Sequence, residues 1–272
     1  MSRIVEVPED IEIHKTAVVS PLAILSKGVK IGPYSIIGDN VSIGENTIIK
    51  SHVVIEDNVT IGKNCLFFTG AVIGSASQDL KSLNEKSYVV IGDNNIFREY
   101  VTVNRASYIE EKTIIGNNNL FMAYVHIAHD CNIGDFNILA NSVNMGGHCV
   151  IENNSVIGGL TGIHQFVRVG SYSMIGGLTR VARDIPPFFT TVGNPALVEG
   201  LNLKGLRRHE FSKEKILALK KAYELIYKSE LSLKDALEEI EKLYNDEEIK
   251  YLVEFYNNSG KRGISGLDHV HK

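Results

Sequence analysis

The stretch IGPYSI IGDNVS IGENTI IKSHVV IEDNVT IGKNCL FFTGAV IG, residues 31–74, carries an aliphatic or aromatic residue at every sixth position. The same spacing reaches back to Ile13, Val19 and Leu25. It resumes at Ile91, Phe97 and Val103, and again from Ile115 through Ile127, Ile133 and Ile157 to Val181. Four residues after the aliphatic stands a small or branched residue such as Ser35, Val41, Thr47, Cys65, Cys131 or Cys149. The residue before that is often asparagine, as at Asn40, Asn46, Asn58, Asn64, Asn94, Asn118 and Asn154, and the residue after the aliphatic is often glycine. A period of six is neither the 3.6 of a helix nor the alternation of a free strand. It fits a short strand plus a sharp corner, where asparagine and glycine tolerate a left-handed backbone. Three such units close an 18-residue triangular coil, and stacked coils bury one continuous column at a spacing of about 4.8 Å.

The cysteines follow from this pattern. Cys65, Cys131 and Cys149 occupy the small inward slot, and the last two lie one coil apart, so they read as core thiols. Three cysteines without paired spacing make neither a disulfide framework nor a zinc knuckle.

Two stretches leave the pattern: residues 75–89 (SASQDLKSLNEKSYV) and 105–113 (RASYIEEKT). Segments ejected from a rigid solenoid gather on one face and often carry binding residues. After Val181 the texture changes. Residues 183–200 hold three of the six prolines and read as a linker. Helical patterning begins near residue 204, with Ser212 as N-cap of KEKILALKKAYELIYK, Ser232 as N-cap of LKDALEEIEKLY, and a third helix in EEIKYLVEFY. The tail from Ser259 reads as frayed. The expected division is a β-coil domain over residues 1–190 and a linker plus helical domain over 191–272.

Bulk properties narrow the function. Of 272 residues, 44% are hydrophobic and 22% charged, and the formal net charge of −4 offers no broad basic face for nucleic acid. The opening MSRIVEVPEDIEIH has acids where an export signal needs an apolar run. No stretch approaches the roughly 18 apolar residues of a membrane span. A cytoplasmic protein is expected.

The chemical anomaly is a histidine cluster, His126, His129, His148 and His164, in a repeat that otherwise uses apolar and small residues. His129 takes an outward repeat position, and Asp130 and His148 lie 18 residues apart, so the three should meet on adjacent coils. An imidazole titrates near pH 6.5 and serves as a base, and a flanking carboxylate orients it. Clustered histidines also suit zinc, but the long helical C-terminal part argues against the zinc-binding hexapeptide proteins, and no metal is expected.

The repeat resembles that of the hexapeptide-repeat acyltransferases, whose fold is a left-handed parallel β-helix and whose members are homotrimers with active sites between subunits. The order SQDLK, HIAHDC, GGH, IHQF and GLNLKGLRR is similar to that of the UDP-N-acetylglucosamine acyltransferases, and covers nearly the whole chain. That resemblance implies transfer of a 3-hydroxyacyl chain from acyl carrier protein to the 3-hydroxyl of UDP-N-acetylglucosamine, the first step of lipid A synthesis, without a cofactor. It implies His129 as general base beside Asp130, and Gly147 as the backbone donor to the oxyanion. It implies Asp79 and Lys81, with Gln78, at the glucosamine end. His126, His148 and His164 would position sugar or phosphates, and Gln165, Asn202 and Arg208 would contact the nucleotide. Gly177 falls where relatives gate acyl length, and a glycine there implies a long chain. The sequence departs from the family pattern at Asn104, Lys204 and His209.

Overall fold

A computed structural model describes residues 10–82, 86–260 and 262–267. The segment read for an export signal (residues 1–9), residues 83–85 of the first ejected stretch, and residues 261 and 268–272 of the tail lie outside the described residues.

Short parallel strands wind into a left-handed coil with three flat faces. The first face begins at Glu12–Ile13, the second at Val18–Val19 and the third at Ile24–Leu25. Register advances 18 residues per coil, Ile13 beside Ile31 and Ile31 beside Ile49. Every sixth aliphatic from Ile31 onward points inward and is buried, as is every small-slot residue named above. Ile13, at the open first coil, stays 42% exposed. Phe67, Phe97 and Phe121 stack in the column at 4.7 and 4.8 Å between ring centroids.

The corners refine the expected division of labour between asparagine and glycine. Asn40, Asn46, Asn58, Asn64, Asn94, Asn118 and Asn154 all adopt the left-handed backbone, with φ between 54° and 62°. Except at Gly74 (φ 90°), where the first ejected stretch begins, the glycine after the aliphatic is not left-handed. It is where neighbouring coils touch: a Cβ on Gly44 would lie 2.5 Å from the carbonyl carbon of Gly62. Non-glycine residues also take the left-handed corner, among them Tyr34, Phe136 and Leu160. The small slot holds an unexpected asparagine ladder as well. Asn95, Asn119 and Asn137 are fully buried, and each Oδ1 accepts a backbone N–H from the next coil at 2.8–2.9 Å. Ladders of this kind satisfy the amide groups that burial would otherwise orphan.

The cysteines sit in the core as expected. Each thiol donates to a backbone carbonyl, Cys131 to Gly146 at 3.3 Å and Cys149 to His164 at 3.2 Å. Burial pushes the Cys65 thiol up to about 11, which keeps it protonated and unreactive.

Three expectations about the remainder need correction. The ejected stretches are shorter than their sequence bounds, because strands run Val72–Ser75, Tyr88–Ile91 and Lys112–Ile115 and extend the ladder at each end. The proline-rich segment is not a free linker. Its residues Phe189–Val192 pair with the coil strand Met174–Ile175 and then with Leu197–Leu201, closing the top of the first face. The tail is not frayed over residues 262–267, since Ile264 and Ser265 are 2% exposed and bridge back to Asp184.

The helices are α1 (Leu203–Arg208), α2 (Lys213–Lys228), α3 (Leu233–Leu243) and α4 (Glu247–Asn257). Ser212 and Ser232 cap α2 and α3 as expected. Their apolar faces form a second core with Phe188 and Phe189. Glu152 of the coil anchors this layer, bonded to Arg168 at 2.7 Å and to the Tyr251 hydroxyl of α4.

Candidate active site

Both ejected stretches leave the coil at the corner between the second and third faces, one between Val72–Ser75 and Tyr88–Ile91, the other between Thr102–Asn104 and Lys112–Ile115. On the coils that follow, the same corner carries His129 and Asp130, then Gly147 and His148, then Gln165 and Phe166. The 18-residue period therefore builds two columns beneath a canopy made by the two loops.

Local backbone sets the aim of each side chain. Asp130, His148 and Phe166 occupy the left-handed corner, with φ of 59°, 58° and 65°. His129 precedes that corner and projects outward from the coil, as expected, but it is not open to solvent. The loops cover it to 8% exposure. Its Nδ1 lies 2.7 Å from Asp130 Oδ2 and 2.8 Å from Ser107 Oγ. Asp130 accepts the Ser107 N–H at 3.2 Å on both oxygens, and its own N–H donates to Thr113 Oγ1. A carboxylate accepts only, so Nδ1 carries the proton and Nε2 is the basic nitrogen. The His148 ring stands edge-on to His129 at 5.3 Å, stacks on Phe166 at 4.7 Å, and brings Nε2 to 3.6 Å from Asp130.

Gly147 lies directly over the His129 ring. A Cβ there would be 2.3 Å from His129 Cε1 and 2.5 Å from Nε2, so only glycine leaves room for the ring. The Gly147 N–H has no acceptor among the described residues. On the corner between the third and first faces the equivalent N–H groups are capped: Lys63 by Asp93, Asn117 by Asp135, Asp135 by Asn153.

A cleft of about 580 Å³ opens here, lined by Gln78, Asp79, Leu80 and Lys81 of the first loop, Tyr108 of the second, and His129, His148, Gln165 and Phe166. A larger hollow of about 940 Å³ lies against the lowest coils, but its ion pair, Glu12 with Lys30, is already closed at 2.7 Å. His126 stands beside the cleft on the second face, with Nδ1 2.7 Å from Thr102 Oγ1. Burial, then the neighbouring His129, hold its ring below the ordinary imidazole value, so it is neutral at pH 7.

Other expected site residues are not brought to the cleft within one chain. His164 is exposed, and among the described residues its ring bonds only the Gln165 carbonyl, at 3.2 Å. Asn202 is the N-cap of α1, accepting from Gly205 at 3.0 Å and donating to Tyr172 O at 2.9 Å. Arg208 is exposed at the end of α1. Gly177 lies on the opposite corner, between the first and second faces. Of the departures from the family pattern, Asn104 is buried, donates to Ala76 O, and leaves Oδ1 without a partner among the described residues. Lys204 is exposed, and His209 packs edge-on against Tyr172.

Sequence reasoning missed Ser107, Tyr108, Leu80 and Phe166. Phe166 was within reach, since it stands one 18-residue step above His148. The loop residues have no register to place them. His129, Asp130 and His148 bring one possible metal-ligand atom each within 4.8 Å, the one such group among the described residues.

Comparison with known proteins places these features. A family profile described as UDP-N-acetylglucosamine O-acyltransferase, domain 2, matches residues 184–265, and a GMPPB C-terminal domain profile matches residues 11–114. The chain is 48% identical over 200 residues to the acyl-[acyl-carrier-protein]–UDP-N-acetylglucosamine O-acyltransferase of Gloeothece citriformis, covering 72% of each chain. It is 42% identical to the protein of that name from Burkholderia mallei, over 71% of this chain and 76% of the relative. Among solved structures, the UDP-N-acetylglucosamine O-acyltransferase of Moraxella catarrhalis superposes with a TM-score of 0.88 at 44% identity, over 93% of this chain and 98% of the other. The Bacteroides fragilis UDP-N-acetylglucosamine acyltransferase gives 0.90 at 43%, over 92% and 98%.

Proposed function

The chain belongs to the UDP-N-acetylglucosamine O-acyltransferase family, and from that premise we propose that it moves a 3-hydroxyacyl chain from acyl carrier protein to the 3-hydroxyl of UDP-N-acetylglucosamine, opening lipid A synthesis. The observation that carries the reading is the His129–Asp130 pair, with Nδ1 held by the carboxylate and Nε2 free toward the cleft beneath the Gly147 N–H.

In this mechanism His129 Nε2 takes the proton of the sugar hydroxyl as that oxygen attacks the thioester carbonyl. Asp130 stabilises the imidazolium that results. The tetrahedral oxyanion accepts from the uncapped Gly147 N–H, a donor type that contributes a factor of about 10²–10³. Collapse breaks the carbon–sulfur bond, and the imidazolium returns its proton to the leaving thiolate. No metal or cofactor enters. Asp79 and Lys81, with Gln78, hold the sugar from the first loop. His126, neutral and oriented by Thr102, donates or accepts at a hydroxyl, and His148 closes the other side.

A homotrimer accounts for the expected residues that stand apart from the cleft. Tyr34, Tyr100, Tyr124, Leu160 and Leu178, each at least 50% exposed, recur along the corner between the first and second faces, with His52, Gly70 and Ser142 on the coils between them. Such a patch needs a partner. Seating that corner against a neighbour's second face would bring Gly177 beside the neighbour's acyl chain and let His164, Gln165, Asn202 and Arg208 of different subunits share the nucleotide. In this division residues 1–190 carry the chemistry, while 191–272 hold the nucleotide and present Lys204, Arg207 and Arg208 to the acidic carrier protein.

The test is mass spectrometry of products from purified enzyme given a panel of 3-hydroxyacyl carrier proteins with UDP-N-acetylglucosamine or its 3-amino analogue. An O-acylated UDP-N-acetylglucosamine is expected, and its absence with every donor ends the reading. Removing the base by His129→Ala should cost about 10²–10⁴ in kcat while the assembly stays folded.

A further inference from the structure

We propose that Ser107 is a positioning residue that couples the first loop to the catalytic base, an inference that rests on His129 acting as that base. Ser107 belongs to the second ejected stretch and is only 4% exposed. It touches both members of the catalytic pair. Its N–H donates to Asp130 at 3.2 Å, and its Oγ lies 2.8 Å from His129 Nδ1. It also touches the other loop twice: its Oγ is 2.8 Å from Ser77 Oγ, and its carbonyl accepts from Ser82 Oγ at 3.2 Å. Ser77 Oγ in turn accepts the N–H of Asp79 at 3.1 Å, and Asp79 Oδ1 accepts the N–H of Lys81 at 2.9 Å. Asp79 and Lys81 line the cleft. An unbroken chain of hydrogen bonds therefore runs from the substrate-facing loop to Nδ1 of the base.

The direction of the protons follows from the inventory of donors. Asp130 has none to give, so His129 Nδ1–H points at Asp130 and Ser107 Oγ together. Ser107 must then receive at Nδ1 and send its own proton to Ser77. The reverse arrangement, with Ser107 donating to Nδ1, would place the imidazole proton on Nε2 and leave no base facing the sugar. The Asp130 carboxylate sets the working tautomer, and Ser107, accepting from the same N–H and sending its own proton to Ser77, fixes the tilt of the ring; Ser77 is held by the backbone of the loop that receives the acceptor. Acceptor binding that fixes Asp79 and Lys81 fixes the tilt of the base in the same movement.

The experiment compares Ser107→Ala, Ser107→Thr, Ser77→Ala and the Ser77→Ala/Ser107→Ala pair in the full-length enzyme. It reads kcat, KM for UDP-N-acetylglucosamine and the melting temperature. A base free to tilt costs about tenfold or more, below the hundredfold of a 1 Å misplacement. S107A should therefore lose about tenfold in kcat with KM moving less than about threefold, the signature of an interaction made in the transition state. S107T, which keeps the hydroxyl, should recover most of that loss. S77A should lose about threefold, and the double variant should be no slower than S107A, because the two hydroxyls act in one chain. S107A turning over within about twofold of wild type overturns the proposal, as do additive S77A and S107A effects. If S107A does not fold, the decision passes to S77A and S107T: wild-type kcat in S77A, or a slow S107T with an unchanged melting temperature, overturns it. Failure of the proposed function is seen separately, as a wild-type enzyme that does not acylate the sugar nucleotide or as a fully active His129→Ala.

Discussion

Replacing Gly147 by alanine tests the site geometry with a single methyl group. The added Cβ would stand 2.3 Å from His129 Cε1, 2.5 Å from Nε2 and 2.9 Å from Nδ1. Carbon atoms rest at about 3.5–4.0 Å, so the ring must retreat by about 1.2 Å or the coil must spread. The coil cannot spread cheaply, because the neighbouring backbone is tied on both sides, Gly146 N–H to Ile163 O at 2.9 Å and Phe166 N–H to Gly147 O at 3.0 Å. The ring is the softer element, yet its retreat strains the 2.7 Å and 2.8 Å contacts to Asp130 and Ser107. A 1 Å displacement of a catalytic group costs about 10²-fold, and overpacking of this size costs about 1–3 kcal/mol.

Steady-state assays with acyl carrier protein substrate should therefore show Gly147→Ala down by about 10²-fold in kcat, with the melting temperature lower by about 2–12 °C. The backbone N–H survives the substitution, so the loss reports the ring. Gly44→Ala supplies the contrast. Its Cβ would meet the carbonyl carbon and oxygen of Gly62 at 2.5 and 2.6 Å, backbone that has nowhere to go. That variant should lose stability and keep its kcat. A Gly147→Ala enzyme with wild-type kcat, or a Gly44→Ala enzyme slowed without being destabilised, would refute the assignment of these two contacts.

Three further outcomes follow from the packing and the titrating groups. Phe97→Ala removes the middle ring of the Phe67–Phe97–Phe121 stack, fully buried at 0% exposure; chemical denaturation should show a loss of about 3–5 kcal/mol. Burial holds the Asp184 carboxyl above its ordinary value despite the N–H donors of Arg168 and Gly260. The folded state then binds that proton more tightly than the unfolded chain, so the associated stability is full below the unfolded value near 3.9 and is lost as pH rises through the folded one. Melting curves from pH 4 to 7 should show wild type losing ground steadily to Asp184→Asn; parallel curves would contradict this. Exhaustive chelation should leave turnover unchanged, while added Zn²⁺, by binding His129, Asp130 and His148 together, should inhibit until chelator is restored.

The fold was legible because one physical constraint repeats. A coil of 18 residues admits one large and one small inward side chain per face, and Ile31 to Val181 satisfy it with few exceptions. The exceptions are instructive. Asn95, Asn119 and Asn137 stand in the small slot, where polarity alone argues against burial; they are tolerated because each amide finds backbone partners on the adjoining coil. The segment 183–200 read as a linker because proline punctuates it, yet its backbone still had to cover the open ladder left by Met174–Ile175. Local composition signalled the interruption, and the exposed strand edge decided what was done with it.

The site was legible in the same proportion. Residues on the coil could be placed by counting in eighteens, which is why His129, Asp130 and His148 were found together, while Gly147 came from the family resemblance. Residues off the coil could not, which is why Ser107 and Tyr108 were missed and why Asn202 turned out to be a helix cap. This division has a consequence for how the enzyme can work. Coils tied by backbone hydrogen bonds at 2.7–3.0 Å on either side of the corner leave the backbone that carries His129 and Gly147 little freedom to adjust. Any adjustment to a different acceptor must come from the two ejected loops, which touch the base through Ser107 and the cleft through Asp79 and Lys81. Changes of acceptor specificity should therefore map to residues 76–82 and 105–111, while changes on the coil at this corner should lower turnover for every acceptor alike.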